Sequence, residues 1–292
     1  MGSHLDRPGS RRLTCLVFLL LPGCLRAASA NPPHAKVTLI SERASIQPGR
    51  SFPVGLRFQL EKHWHIYWLN PGDSGEPPRV RWELPRGFRA GPIHWPTPRR
   101  LVNASLVDYG YEEDVLLIIP LYPPPSVPAG RTATLRATVK WLVCSSICIP
   151  EQKRVELTLP YQNGPPKPDL RWRQLFLRTR ERLPRRMPPG WSARVRSSGS
   201  EFILTVKAPN PPPNAVFFPL EPLQISNAAP QRATAGGGKL QLFLEKSDQL
   251  VKPAARLRGV LVIGGRKAFT VNAPVVSPEG SGKSLEERRH RK

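Results

Sequence analysis

The sequence has 292 residues, 39% of them hydrophobic, which is enough for one large core or two modest ones. Its 36 prolines disfavour long helices and suit short strands joined by extended loops. The formal net charge is +23, but the excess is dispersed and no nucleic-acid-binding motif accompanies it. Nucleic acid is therefore excluded as a partner, and we expect a basic, solvated surface capable of peripheral contact with anionic lipid or polymer.

Residues 1–30 have the features of an export signal. Arg11 and Arg12 precede an apolar run at 13–25, and residues 28–30 offer a small-x-small cleavage site. The run is shorter than the roughly 20 residues that a transmembrane helix needs. We therefore expect a chain exported through a signal peptide to the periplasm or another extracytoplasmic compartment.

Two variants of the signal stay open. The stretch before Cys24 resembles a lipoprotein cleavage box, and a twin-arginine signal is a fainter alternative. Residues 1–30 carry four arginines and one aspartate, a charge of +3, so their removal lowers the net charge from +23 to +20. It also removes Cys15 and Cys24, which leaves two cysteines in a compartment where disulfides persist.

Residues 31–162 are predicted to form an antiparallel β-sandwich. Short apolar-alternating segments are separated by Pro- and Gly-rich turns, with no helix-period segment among them. The predicted strands lie at 35–40, 51–60, 79–85, 114–121, 131–144 and 152–160, with an aromatic strand that enters a long loop at 63–78.

The remaining chain is predicted to hold a linker, a second β-domain and a tail. Residues 163–190 are rich in proline and arginine, with one short helix that has Asp169 near its start and Pro184 as its stop. Strand-like segments resume over 191–276 and include hairpin turns at "RSSGSE" and "IGGRK". Residues 277–292 are polar and charged, and we predict a disordered basic tail.

Cys144 and Cys148 form a C-x3-C pair at the end of a predicted strand. The spacing differs from the C-x-x-C of thioredoxin-like proteins, and no second cysteine pair completes a zinc site. An irregular turn would bring the pair to the roughly 5.5–6 Å Cα separation of a disulfide. Such a bond closes a tiny loop, so it is a weak staple and is easily reduced. These arguments favour a redox couple.

Two other interpretations of the pair remain open. Close thiolates also suit Cu(I), with His63, His65 and His94 as further ligands, although histidines on an aromatic strand are more often packing residues. The pair could also be an inert disulfide in a structural adaptor. If the pair is redox-active, Lys140 and Lys153 are candidates for lowering a thiol pKa.

Two further segments, at 64–75 and 106–115, combine aromatic residues with turn or loop residues. An aromatic group at 64–68 runs into Asn-Pro-Gly-Asp-Ser-Gly at 70–75, which indicates core aromatics followed by a long turn. The segment 106–115 is predicted to be a loop before a buried strand. No nucleophile elbow, phosphate-binding glycine loop or metalloprotease helix is present, so hydrolase and nucleotide-dependent functions lack support.

Three motifs together resemble a known family. "WHIYWLNPGDSGEPPRVRWELPRGF", "DYGYEEDVLLIIPL" and "VKWLVCSSICIPE" occur in the order and at about the intervals seen in the N-terminal periplasmic region of the DsbD/ScsB thiol:disulfide interchange proteins. The resemblance covers roughly residues 35–275. The cysteine pair falls where the family keeps its redox cysteines, although DsbD itself has a wider cysteine spacing.

The resemblance implies an all-β fold, with an immunoglobulin-like sandwich followed by a smaller β-domain. It implies that Cys144 and Cys148 are the catalytic couple, and that a loop of four residues shields them until a partner docks: Asp108, Tyr109, Gly110 and Tyr111. It also implies a link to cytochrome c biogenesis.

Fused members continue into a membrane domain and a thioredoxin domain, neither of which occurs in this sequence. To act as a reductase the pair would therefore need a separate donor, either a thioredoxin-like protein or a DsbD-type membrane protein. The acceptors would be oxidised periplasmic proteins. No cofactor is expected.

Overall fold

The computed structural model describes residues 1–2, 34–127 and 131–277. The predicted signal peptide from residue 3 onwards, with Cys15 and Cys24, lies outside the described residues, and so does the predicted tail from residue 278. Within the described ranges, no helix is long and apolar enough to cross a membrane.

The first ten strands form two antiparallel sheets. One has the order β1-β2-β8-β5, and the other has the order β10-β9-β3-β7-β6, with β4 also paired to β9. Their bounds are β1 Ala35–Ser41, β2 Phe52–Leu60, β3 His65–Gly72, β4 Arg79–Glu83, β5 Arg89–Ala90, β6 Arg99–Asn103, β7 Leu106–Glu112, β8 Asp114–Tyr122, β9 Thr132–Cys144 and β10 Cys148–Pro160.

The two sheets enclose a common apolar core. In β9 every second side chain from Ala133 to Val143 is buried, as the two-residue period of a strand requires. In β8 the whole run from Val115 to Ile119 is buried, because its outer face is also covered. The cover is helix α1 (Arg173–Glu181), whose fully buried Phe176 packs on that face. Burial of one such large side chain contributes about 1.5–3 kcal/mol.

The later strands form one seven-stranded sheet of order β13-β16-β17-β11-β12-β15-β14. The predicted hairpin turns are confirmed, with Gly199 between β11 and β12 and Gly264–Gly265 between β16 and β17, all at positive φ. The bounds are β11 Ser192–Ser198, β12 Glu201–Lys207, β13 Ala215–Pro219, β14 Arg232–Gly236, β15 Lys239–Glu245, β16 Arg256–Ile263 and β17 Lys267–Val276.

The seven-stranded sheet packs against the sandwich on the side of β3 and β7. Phe218 and Val260 belong to the sandwich core. The ring of Phe218 lies edge-on to Tyr109 of β7, 5.2 Å between centroids, and to Trp68 of β3, at 6.3 Å. Edge-to-face pairs at such distances add about 0.5–1.5 kcal/mol to area burial. The seven-stranded sheet therefore supports β3, which neighbours the cysteine hairpin, and β7, the next strand along.

The all-β class predicted from the sequence is confirmed, and helix α1 lies inside the predicted 163–190 segment. The helix begins at Arg173, four residues after Asp169, whose carbonyl accepts the Arg173 amide hydrogen. Strands β5, β6, β7 and β14 were not predicted. The division into two domains at 163–190 stays a prediction.

Candidate functional site

The cysteine pair closes a β-hairpin. Strands β9 and β10 pair in unbroken register from Thr132 opposite Pro160 to Cys144 opposite Cys148, and three residues form the turn. The two Cα atoms are 4.2 Å apart, and the sulfurs form a disulfide. The spacing is close to the roughly 4.5 Å of a non-hydrogen-bonded antiparallel pair, in which facing side chains are nearest. The C-x3-C spacing therefore corresponds to a β-hairpin with a three-residue turn, in which a disulfide joins the last residue pair before the turn.

The two cysteine residues differ in exposure. Cys144 is 1% exposed, whereas Cys148 is exposed and follows Ile147, which is 61% exposed at the turn. A thiolate attacks one sulfur of a disulfide and expels the other. An incoming thiolate can therefore reach Cys148, and an attack on its sulfur would expel Cys144 Sγ.

Tyr67 of β3 covers the buried sulfur. Its ring is fully buried, and its hydroxyl donates a hydrogen bond to Cys144 Sγ at 2.9 Å and lies 3.5 Å from Cys148 Sγ. Burial raises the pKa of Tyr67 above its usual value, so the hydroxyl stays protonated and remains a donor. A donor at this position stabilises negative charge on Cys144 Sγ.

The segment Gly72–Gly75, which we call the site loop, holds the Tyr67 ring in place. Gly75 has φ +75°, and a Cβ built on it would lie 2.1 Å from Tyr67 Cζ. Only glycine permits both this backbone conformation and this close approach. Ser74 donates to the Asp108 carboxylate through its amide and its hydroxyl, both at 2.9 Å. The site loop is therefore fastened to β7 while it presses on the tyrosine.

The prediction that Asp108–Tyr111 forms a loop is wrong, because these residues form part of a strand. Asp108, Tyr109, Gly110 and Tyr111 lie in strand β7, where the two tyrosine rings are buried and Gly110 faces the Ile66 carbonyl. Strand pairing to β3 and β6 on either side accounts for this. Among these four, Asp108 connects to the disulfide, through Ser74 and then Tyr67. The groups that cover Cys144 are Tyr67 and the site loop.

His65 lies beside the pair. It is the β-bridge partner of Cys144, and its ring meets the Tyr67 ring edge-on at 5.2 Å. Desolvation lowers the pKa of His65 below its usual value, while the Asp108 and Glu112 carboxylates oppose that shift. Its Nε2 is buried without a hydrogen-bond partner. The imidazole is therefore held in its neutral form.

The other histidines considered as copper ligands do not join the cysteines. His63 is exposed in the turn before β3, and His94 is exposed and bridges Ile118 of the other sheet. In the part of the chain that the structure describes, no three His, Cys, Asp or Glu side chains are grouped to hold a metal ion.

The two lysines proposed to tune the thiols lie far along the hairpin. Lys140 is four residues from Cys144, about 13 Å at roughly 3.3 Å per residue, and Lys153 is five residues from Cys148. Both separations exceed the roughly 8 Å Debye length at physiological salt. The hydroxyl of Tyr67, at 2.9 Å from Cys144 Sγ, is the nearer source of thiolate stabilisation. In the sequence, Tyr67 belongs to a group of predicted core aromatics, and that pattern gives no sign of a role at the disulfide.

Comparisons with known proteins agree with the geometry. The family model for the N-terminal region of the thiol:disulfide interchange protein DsbD matches residues 36–160. The crystal structure of the N-terminal periplasmic domain of ScsB from Proteus mirabilis is similar, with a TM-score of 0.61 and 20% identity over 84% of this chain and 94% of that chain.

Other similarities are weaker. The E. coli chaperone DraB has 11% identity and a TM-score of 0.24, over 81% of this chain and 98% of its own. The periplasmic chaperone SfaE has 11% identity and a TM-score of 0.23, over 83% and 100%. No curated protein matches the sequence significantly. The predicted immunoglobulin-like sandwich is confirmed. Residues 36–160, with the Cys144–Cys148 disulfide, are a thiol:disulfide interchange module of the DsbD N-terminal family.

Proposed function

We propose that the protein relays electrons between envelope proteins by dithiol/disulfide exchange at Cys144 and Cys148. The observation that carries the proposal is the asymmetry of the pair: Cys148 is an exposed residue, and Cys144 is buried under a hydroxyl donor. Asymmetry of this kind defines which sulfur is attacked and which one leaves.

In the electron-accepting half, a partner thiolate attacks Cys148 Sγ and forms a mixed disulfide. The S–S bond breaks, and its electron pair goes to Cys144 Sγ, where the Tyr67 hydroxyl stabilises the thiolate. The partner's second thiolate then attacks the partner's own sulfur in the mixed disulfide and releases Cys148. The partner leaves oxidised by two electrons, and the pair becomes a dithiol after taking up two protons.

In the electron-donating half, the steps run in reverse with an oxidised partner. The Cys148 thiolate attacks a disulfide of that partner, and the mixed disulfide forms at the exposed sulfur. Cys144 then attacks Cys148 Sγ, which reforms the bond and releases the partner as a dithiol. Apart from the uptake and release of protons at the thiols, every bond formed or broken joins two sulfur atoms, so the relay requires no cofactor.

The donor that fits this chemistry is a thioredoxin-like protein or a DsbD-type membrane protein, and the acceptors are oxidised envelope proteins. We place the protein in the periplasm or an equivalent compartment, exported by residues 1–30, with Cys24 as the site of a lipid anchor if that variant of the signal operates. The basic surface supplies peripheral contact with the membrane.

The proposal is tested by trapping. Cys144→Ser keeps the exposed nucleophile and removes the resolving thiol, so it should accumulate a mixed disulfide with an oxidised thioredoxin-like partner. Cys148→Ser should trap none, because Cys144 is buried. Both are measured by non-reducing electrophoresis and mass spectrometry of the joined peptides. Absence of any mixed disulfide with Cys144→Ser, together with resistance of the native pair to strong dithiols, would refute the relay.

A further inference from the structure

A first tie joins the site loop to the connection between two strands of the seven-stranded sheet. Asn227, in the segment between β13 and β14, is 5% exposed. Its Nδ2 donates to Asp73 Oδ1 at 2.8 Å, and its Oδ1 accepts from the Tyr109 hydroxyl at 2.8 Å. Its backbone carbonyl accepts from Arg100 at 2.6 Å. Asn227 therefore joins the site loop to β7 and β6 across the packing boundary.

A second tie fixes the start of the loop. The buried Asn70 donates from Nδ2 to the Pro219 carbonyl of β13 at 2.9 Å. Its Oδ1 accepts the Gly72 amide hydrogen at 3.1 Å. The loop is thus anchored to the seven-stranded sheet at two places, before and within its tight turn.

From these anchors a chain of contacts leads to the disulfide. Asp73 uses its other oxygen to accept the Val107 amide hydrogen at 2.7 Å, so its carboxylate links β7 and Asn227. Two residues further on, Gly75 lies against the Tyr67 ring. The hydroxyl of that ring contacts Cys144 Sγ. Each step is a direct contact, and the whole path holds the cover over the buried sulfur.

We propose that Asn227 is a positioning residue by which the seven-stranded sheet clamps the site loop, keeps Tyr67 over Cys144 and thereby controls access to that sulfur. The shielding rests on geometry alone. Its consequence for exchange, that partners are confined to Cys148, rests on the proposed function.

The chemistry of the position favours an amide. One neighbour is a carboxylate, which accepts hydrogen bonds, and the other is the hydroxyl of Tyr109, which burial keeps protonated and donating by raising its pKa. Asparagine offers a donor to the first and an acceptor to the second. An aspartate would oppose the charge of Asp73, and an apolar residue would leave buried polar groups unpaired.

The test measures how often the cover opens. In full-length protein carrying Cys148→Ser, Cys144 is the thiol beneath Tyr67, and its alkylation by iodoacetamide requires opening of the site loop. Asn227→Ala should accelerate that alkylation about tenfold, the equivalent of about 1.4 kcal/mol, since the lost hydrogen bond has a charged acceptor. Asp73→Asn, which keeps an acceptor for the Val107 amide, should act in the same direction.

The matched control is Gln231→Ala. Gln231 donates and accepts only within the seven-stranded sheet, to the backbone of Phe217. Its loss should leave the alkylation rate within about twofold. The double variant Asp73→Asn with Asn227→Asp exchanges donor and acceptor, so it should restore the slow rate. Thermal unfolding by circular dichroism verifies that each variant is folded.

The proposal is overturned if Cys144 is alkylated as fast as a cysteine in an unstructured peptide. It is equally overturned if Asn227→Ala and Asp73→Asn both leave the rate unchanged, if Gln231→Ala raises it as much, or if the double variant fails to restore it. No redox partner takes part in this measurement. The relay could therefore fail its trapping test while the clamp is upheld, and the reverse also holds.

Discussion

The hydroxyl of Tyr67 makes the sharpest prediction, because Tyr67→Phe removes one atom and keeps the ring. The atom lost donates to Cys144 Sγ at 2.9 Å in a buried setting. A hydrogen bond to a charged group contributes about 1.5–3 kcal/mol, and one pKa unit corresponds to about 1.4 kcal/mol. We expect the pKa of the Cys144 thiol in the reduced protein to rise by about one to two units.

The same change should slow reduction of the disulfide. Cys144 is the leaving group when Cys148 is attacked, and a thiol of higher pKa leaves more slowly. If about half of the thiolate charge has developed in the transition state, the rate falls about threefold to tenfold. The assay is the second-order rate of reduction by dithiothreitol, with the thiol pKa followed by the ultraviolet absorbance of the thiolate.

Tyr122→Phe is the matched control, because Tyr122 is exposed on β8 of the other sheet. It should change neither the rate nor the thiol pKa. An unchanged or faster reduction in Tyr67→Phe, with an unchanged thiol pKa, would contradict the role given to this hydroxyl.

Two further predictions follow from neighbours of the pair. Gly75→Ala should displace the Tyr67 ring, destabilise the fold by about 1–3 kcal/mol and expose the buried thiol to alkylation. Gly190 is the matched control, because it has a similar φ of +81° but no atom near the position of an added Cβ. Gly190→Ala should therefore show only the part of the destabilisation that comes from backbone strain. Chemical unfolding and the alkylation assay separate these effects, and equal results for both glycines would contradict the packing argument. The second prediction concerns the pH dependence of stability. Burial lowers the pKa of His65 in the folded state, so the unfolded chain binds more protons below about pH 6.5, and stability should fall as the pH drops from there. His65→Phe should flatten that decline in denaturant midpoints, while the exposed His94→Phe should not, and an identical slope in all three proteins would refute the assignment.

The hairpin could be predicted from the sequence because the patterns that indicate it lie within the hairpin segment itself. Alternating apolar residues in β9 define its buried face, and the pair at Cys144 and Cys148 marks where the strands turn. The same period-two logic identified most of the other strands. It failed for β7, where Val107–Tyr111 is buried on both faces and therefore shows no alternation.

The contacts that complete the site are not local. Tyr67 reaches Cys144 across 77 residues, and Asn227 reaches Asp73 across 154. No periodicity in the sequence encodes such pairings, because they depend on how the seven-stranded sheet packs against the sandwich. One part of the site did have a local pattern in the sequence. The Asn-Pro-Gly-Asp-Ser-Gly segment has two glycines just after an aromatic group, and glycine lets the backbone approach an aromatic ring closely.

The register of β9 and β10 has a consequence for repeated turnover. Backbone pairing continues for 13 residue pairs up to the disulfide, so the two sulfurs are neighbours whether or not they are bonded. A cross-link over three intervening residues removes little chain entropy. The oxidised and reduced proteins should therefore unfold at nearly the same temperature, and the chain can cycle between them with its architecture unchanged. A docking protein then has no distant conformational signal to read, and must sense the oxidation state at the turn itself.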